Sequence, residues 1–289
     1  MGNATFAGGP NKGQDFGGGA LSTANDEDAF LVSFDENGVH RWSKSLGGNG
    51  PRSTDIERID GLAVDVRNQD LLLAGTFDDT IDLGGGDLIS AGGSDIFVAR
   101  FDASGNHRSS KTYGSSMHDE LLGFAADTSG NTYLVGRYLG PIDFGGGALA
   151  VDRFDTFLAS FDAAGAHRWS RRLVTSDTTP SLVVTTDGDG NVHIAGEFNE
   201  PVDLGGGVLR HVRVGDIFIV SYTPWGAHRF SLGLGSSGYD GGTSLVVGSG
   251  GHLFVAGTFS DTIAIGGHSI TSTLFTDAFL LSLELQAEH

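Results

Sequence analysis

Short runs rich in Val, Leu, Phe and Thr alternate along this chain with turns that carry glycine. Branched and aromatic residues in such runs suit β-strands, and glycine between them supplies the positive backbone angles of tight turns. One stretch displays a whole unit. Residues 121–126 form a short strand of small side chains, which Asp127-Thr128-Ser129-Gly130 turns into 132–138. A turn through Gly145-Gly146-Gly147 leads to 156–161, and Asp162-Ala163-Ala164-Gly165 turns that into 167–173. The two Asp-x-x-Gly turns suit hairpins, so the pattern predicts a four-stranded antiparallel meander.

The unit recurs. Asp-x-Phe opens an apolar strand at Asp28, Asp95, Asp155, Asp216 and Asp277, with spacings of 67, 60, 61 and 61. Gly8, Gly75, Gly136, Gly196 and Gly257 mark the end of a second strand type, spaced 67, 61, 60 and 61. A glycine-rich turn follows at Asp15-Phe16-Gly17, Asp82-Leu83-Gly84, Asp143-Phe144-Gly145 and Asp203-Leu204-Gly205, with Ile265-Gly266 as its degenerate last copy. Three markers in one register define an internal repeat. The chain therefore divides into units of about 1–60, 61–120, 121–180, 181–242 and 243–289 within one domain, 1–289.

A meander cannot bury both faces alone, so it must stack on its neighbours. Radial stacking hides those faces and leaves only short edges. The expected fold is all-β, a β-propeller of about five four-stranded blades, with the small strand (Ala63, Ala125, Ala126) nearest the axis. A linear β-solenoid is the competing solution. The segment Asn131-Thr132-Tyr133-Leu134-Val135-Gly136, followed by Asp155-Thr156-Phe157-Leu158-Ala159-Ser160-Phe161-Asp162-Ala163-Ala164-Gly165, resembles the bacterial β-propeller repeat of the SBBP type, which is NHL-like. His167-Arg168-Trp169-Ser170 fits its outer strand. The resemblance covers nearly the whole chain and implies a propeller from a secreted or surface protein. It brings no shared catalytic residues.

Strand types are unequal in number. The small-residue strand (near Leu62, Phe124, Val183 and Val246) and the His-Arg strand occur four times each, the other two types five times. Two blades are therefore expected to be incomplete. Three explanations fit: a ring of five with two short blades, a piece of a longer array, or self-association that completes the ring by strand exchange.

Charge narrows the partners. Lys and Arg number 17 against 36 Asp and Glu, a formal charge of −19. A nucleic-acid binder needs a basic footprint, and anionic lipid repels this sign; cations such as calcium are attracted. The 47 glycines follow no Gly-X-Y period, which excludes collagen. With no cysteine, disulfides, thiolate zinc sites and cysteine nucleophiles are excluded together. No apolar run approaches the ~18 residues that cross a membrane as a helix, and no signal peptide is recognisable. Met1-Gly2 opens like a myristoylation site, but Phe6 stands where Ser or Thr belongs. Asn3-Ala4-Thr5 fits a glycosylation sequon.

Several motifs invite chemistry. His40, His107, His167 and His228 each precede an arginine. Equivalent positions on neighbouring blades lie many strand steps apart, far beyond the ~2 Å of a zinc ligand. They are expected to be structural, with Trp42, Trp169 and Phe230 packing between blades. Asp187-Gly188-Asp189-Gly190-Asn191 opens like a calcium loop, making Asp187, Asp189 and Asn191 the one metal candidate. Val192 and Phe198 then stand where an EF-hand needs Gly and a bidentate Glu, and the segment matches the hairpin turn 127–131. The Asp of Asp-x-Phe is expected to cap amides of the glycine-rich loop. The triple-glycine turns lack the Lys-Ser/Thr and the following helix of a phosphate loop.

Three places depart from the repeat. Trp225 replaces a small residue at the tip of Thr223-Pro224-Trp225-Gly226. His118, Asp119 and Glu120 crowd three ionisable groups before an inner strand, and Tyr239 and Asp240 lie in the corresponding loop two repeats later. An exposed loop tryptophan suits a ligand contact. The absence of a convergent catalytic set points to a non-enzymatic binding or scaffold module with a protein or carbohydrate ligand, lectin-like sugar binding being one version. The alternative is a hydrolase or lyase over the propeller mouth, built on His118, Asp119 and Glu120.

Overall fold

The computed structural model describes residues 4–8, 13–21, 28–47, 57–175, 181–212, 215–265 and 267–285; Gly2, Asn3 and Gly266 lie outside them. Among the described residues there is no helix, and the strands form sheets of two to four. Three sheets have four strands: Glu57–Asp65, Asp70–Phe77, Asp95–Phe101 and His107–Tyr113; Asp119–Ala126, Thr132–Tyr138, Asp155–Phe161 and His167–Thr175; and Leu182–Thr186, Val192–Phe198, Asp216–Tyr222 and His228–Leu234. Two have three: Ala4–Gly8, Ala29–Phe34 and His40–Leu46; and Gly241–Gly248, His252–Phe259 and Asp277–Glu284. Strand order follows chain order within each, as in a meander.

Glycine-rich turns carry more structure than their composition suggests. Three contain two-stranded hairpins, Thr80–Asp82 with Asp87–Ile89, Val202–Asp203 with Val208–Leu209, and Thr262–Ile265 with His268–Thr271. Asp15, Asp82, Asp143 and Asp203 organise them, each accepting the amides two and four residues on at 2.7–3.1 Å. The middle glycine then makes room for a histidine. A Cβ at Gly18, Gly85 or Gly206 would lie 2.2, 2.3 or 2.4 Å from the imidazole of His40, His107 or His228. These histidines pack on the turns.

The expected role of the Asp in Asp-x-Phe needs correction. The glycine-rich amides belong to the aspartates inside those turns, which are nearer in sequence. Asp95, Asp216 and Asp277 instead accept the amides of Ala91, Val212 and Thr273 at 2.8, 2.6 and 2.8 Å, and Asp155 accepts that of Asp152 at 2.9 Å. Each closes the loop leading into its own strand.

Two repeat markers are one contact. Across neighbouring strands Gly8 faces Phe30, Gly75 faces Phe97, Gly196 faces Phe218 and Gly257 faces Phe279. A Cβ on these glycines would come within 3.1, 2.7, 2.9 and 2.8 Å of the ring. The phenylalanine covers bare backbone that glycine alone leaves open.

The chain forms two compact units, Met1–Leu121 with Arg137–Ala150, and Leu122–Gly136 with Val151–His289. In the first, Ala29 and Leu31 pack with Leu71, Leu73 and Phe97 of the next sheet. The Trp42 indole lies on Gly105 of that sheet's last turn and donates to the Ala103 carbonyl at 3.3 Å. In the second, all seven residues of Asp216–Tyr222 are buried. Phe218, Val220 and Tyr222 pack with Tyr133, Leu158 and Ile194; Ile217 and Ile219 pack with Leu253, Val255 and Phe279. Burying both faces of one meander is what stacking requires.

Candidate functional site

The site grows out of three turns in the second unit. Asp127 folds the first: Oδ1 accepts the amides of Ser129 and Asn131, both at 2.9 Å, Oδ2 accepts Asn131 Nδ2 at 2.8 Å, and Gly130 takes φ 75°. Asp187 folds the second in the same way, accepting the amides of Asp189 at 3.0 Å and Asn191 at 2.8 Å, and Asn191 Nδ2 at 2.8 Å. Buried His193 adds a contact at 3.2 Å from Nε2. Burial opposes ionisation of Asp187, but the bonds from His193 and Asn191 outweigh it and bring its pKa down to about 2. Its carboxylate therefore serves the turn. Among the described residues no group of three His, Asp or Glu side chains has the geometry of a metal site.

Thr223 closes the third turn, its carbonyl accepting the Gly226 amide at 2.9 Å and its hydroxyl the Ala227 amide at 3.1 Å. Trp169 braces this turn: its indole lies on Gly226, and Nε1 donates to the Pro224 carbonyl at 2.9 Å. Bracing leaves Trp225 at the tip 79% exposed. The Arg168 guanidinium sits 4.9 Å from the Trp225 ring centroid and donates to Ser160 Oγ and to the buried Tyr133 hydroxyl, each at 3.2 Å. Trp225, Arg168, Asp162, Ser129, Asn131 and Asp189 thus line a cleft of about 660 Å³. A second cleft of about 440 Å³ lies on the other side of Asp189, with Arg229 in the place of Arg168 but no tryptophan.

The other sequence candidates diverge. His118 Nδ1 accepts the Ser94 amide at 3.2 Å. Asp119 is fully buried and accepts the Ser115 amide at 2.5 Å. Glu120 is clamped between Arg58 at 2.7 Å and Arg137 at 2.5 Å. Asp240 repeats the role of Asp119, accepting the amides of Ser236 at 2.6 Å and Ser260 at 3.1 Å. Tyr239 is half exposed and donates to Glu197 at 2.9 Å. The sequence missed Arg168, Asp162, Ser129 and Asn131 because each sits in a recurring motif. Superposing the repeats, which sets the turns 127–131 and 187–191 at one end of the strands, was the signal available.

Buried carboxylates make stability depend on pH. Burial raises Asp95 to about 6, against the Ala91 amide that lowers it, with Asp119 and Asp78 raising it further. An unfolded carboxyl titrates near ~3.9, so the folded state holds an extra proton between about pH 4 and 6. The stability Asp95 contributes is complete below about pH 4 and is lost as pH rises through 6. Asp95→Asn is expected to remove that slope, seen as a smaller fall in Tm between pH 4 and 7 than in the parent.

Neither a family model nor a curated protein matches this chain. Among solved structures, a protein of unknown function from Bacteroides caccae is 8% identical, with 96% of this chain and 72% of that chain covered and a TM-score of 0.45. Kuenenia stuttgartiensis hydrazine synthase is 14% identical, with coverages of 84% and 74% and a TM-score of 0.35.

Proposed function

We propose that this chain is a non-enzymatic binding module of β-propeller type, from a bacterial secreted or surface protein, which holds a neutral saccharide in the cleft at Trp225. The observation that carries the proposal is the tryptophan itself, an exposed ring fixed from below over a cleft rimmed by carboxylates, an amide, a hydroxyl and one guanidinium. The apolar face of a sugar ring stacks on an indole, while the rim groups bond its hydroxyls. Asp127, Asp162 and Asp189 against one arginine disfavour an anionic ligand. Meanders buried on both faces, repeated along the chain, support radial stacking. His118, Asp119 and Glu120 each engage separate partners, which disfavours the hydrolase or lyase alternative built on them.

A thermal melt against neutral mono- and oligosaccharides, with calcium and chelator arms, tests the function. A ligand at a hundred times its Kd should stabilise the fold by ~2.7 kcal/mol. The expected result is a shift with a neutral saccharide that chelator does not remove, and no cleavage of that sugar on long incubation. A flat panel, or release of product, contradicts it.

A further inference from the structure

Arg168 recurs in the repeat as Arg41, Arg108 and Arg229, yet it touches two residues that break the repeat. One is Trp225, whose ring centroid lies 4.9 Å from the guanidinium. The other is Tyr133. Three residues before the strand-ending glycine, the other repeats carry Thr5, Leu72, His193 and Phe254. A sheet that forms with all four has no need of a phenol at this place. Tyr133 is fully buried, and its hydroxyl joins three residues that line the cleft. It accepts a hydrogen bond from Arg168 Nη1 at 3.2 Å, and its own proton faces Asp127 Oδ2 at 3.3 Å and the Gly190 carbonyl at 3.2 Å. Burial raises the pKa of Tyr133, against a nearby Arg168 that lowers it, so the phenol keeps the proton it donates. In the next repeat His193 Nε2 instead lies 3.2 Å from Asp187, and Arg229 lies 4.0 Å from the same carboxylate.

We propose that Tyr133 is the positioning residue of the saccharide site: it holds Arg168 against Trp225 and so fixes the indole face that receives the sugar. The assignment rests on the saccharide reading of the cleft. Arginine is long and loses several rotamers when it is held in one place. Here Nη1 is tied to Tyr133 and to Ser160 Oγ, each at 3.2 Å, which keeps the guanidinium on the ring before any sugar arrives. Ordering a side chain in advance removes that entropy cost from the binding step. Ser160 has counterparts in Ser33, Ser221 and Ser282, whereas the phenol has none. The two departures from the repeat, Tyr133 and Trp225, are therefore joined through a residue that follows it.

Tyr133→Phe removes the hydroxyl and keeps the ring, and Phe254 shows that the strand takes phenylalanine at this place. The probes are glucose, galactose, mannose and N-acetylglucosamine, as monomers and as trimers, and affinity is measured with the one that raises the parent's Tm most. Tyr133→Phe is expected to weaken binding about fivefold, and to cause no further loss in an Arg168→Ala background. An equal loss in both backgrounds, or none in the parent, would overturn the role of Tyr133 and leave the cleft a saccharide site. A second readout needs no sugar. Acrylamide should quench the emission of Tyr133→Phe more than that of the parent, and the difference should vanish when Trp225→Ala is added. Quenching that does not respond to Tyr133→Phe would also overturn the proposal. A parent that none of these sugars stabilises overturns the saccharide reading itself, and the proposal with it.

Discussion

Gly75→Ala is expected to destabilise the fold by about 3 kcal/mol or more, the upper end of what an extra methyl costs in a packed interior. A Cβ there would stand 2.0 Å from the Arg58 carbonyl oxygen and 2.7 Å from the Phe97 ring. The ring could turn aside, but the carbonyl is backbone of a strand paired to Gly75 through Ile59, so the sheet itself must shift. Against a usual total of ~5–15 kcal/mol this is a large loss. Gly188→Ala supplies the control. Nothing lies within 4 Å of its Cβ position and its φ is not positive, so the change is expected to stay within ~0.5 kcal/mol. Urea unfolding of the two variants beside the parent measures both.

Trp225→Ala is expected to remove saccharide binding while leaving the fold almost untouched. The ring is 79% exposed, and the stacking of Arg168 on it is worth ~0.5–1 kcal/mol at an exposed position. An aromatic anchor at the centre of a binding site costs at least ~2 kcal/mol when truncated, about thirtyfold in affinity. Titration calorimetry with the sugar that shifts the melt should show that loss, and Trp225→Phe should recover part of it. A variant that binds as the parent does would place the ligand elsewhere.

The period of the chain was legible because glycine and phenylalanine are locked to each other across strands. Gly75 and Phe97, or Gly257 and Phe279, keep the same separation since one fills the space the other leaves. What the alternation of residue types could not express was which of several nearby aspartates serves which amides. Asp82 and Asp95 both lie within reach of glycine-bearing loops, and only the fold assigns Gly84 and Gly86 to the first and Ala91 to the second. The site was half legible. Trp225 stood out because it breaks the repeat, whereas Arg168 and Asp162 obey it, and a residue doing its repeat's ordinary work carries no local mark of a second use. His118, Asp119 and Glu120 misled in the opposite sense. Asp119 and Glu120 open a strand, where successive side chains point to opposite faces, while His118 lies in the loop before it and accepts the Ser94 amide, so adjacency in sequence does not gather the three.

Tryptophan fluorescence tests the central claim most directly. The chain has three tryptophans, Trp42, Trp169 and Trp225, and only Trp225 is largely exposed. Stacking of a sugar on it should shift the emission to shorter wavelength, saturably, with the Kd found by calorimetry, and Trp225→Ala should abolish the shift. An emission spectrum unchanged at saturating saccharide, or a shift that survives in Trp225→Ala, would contradict ligand binding at this cleft.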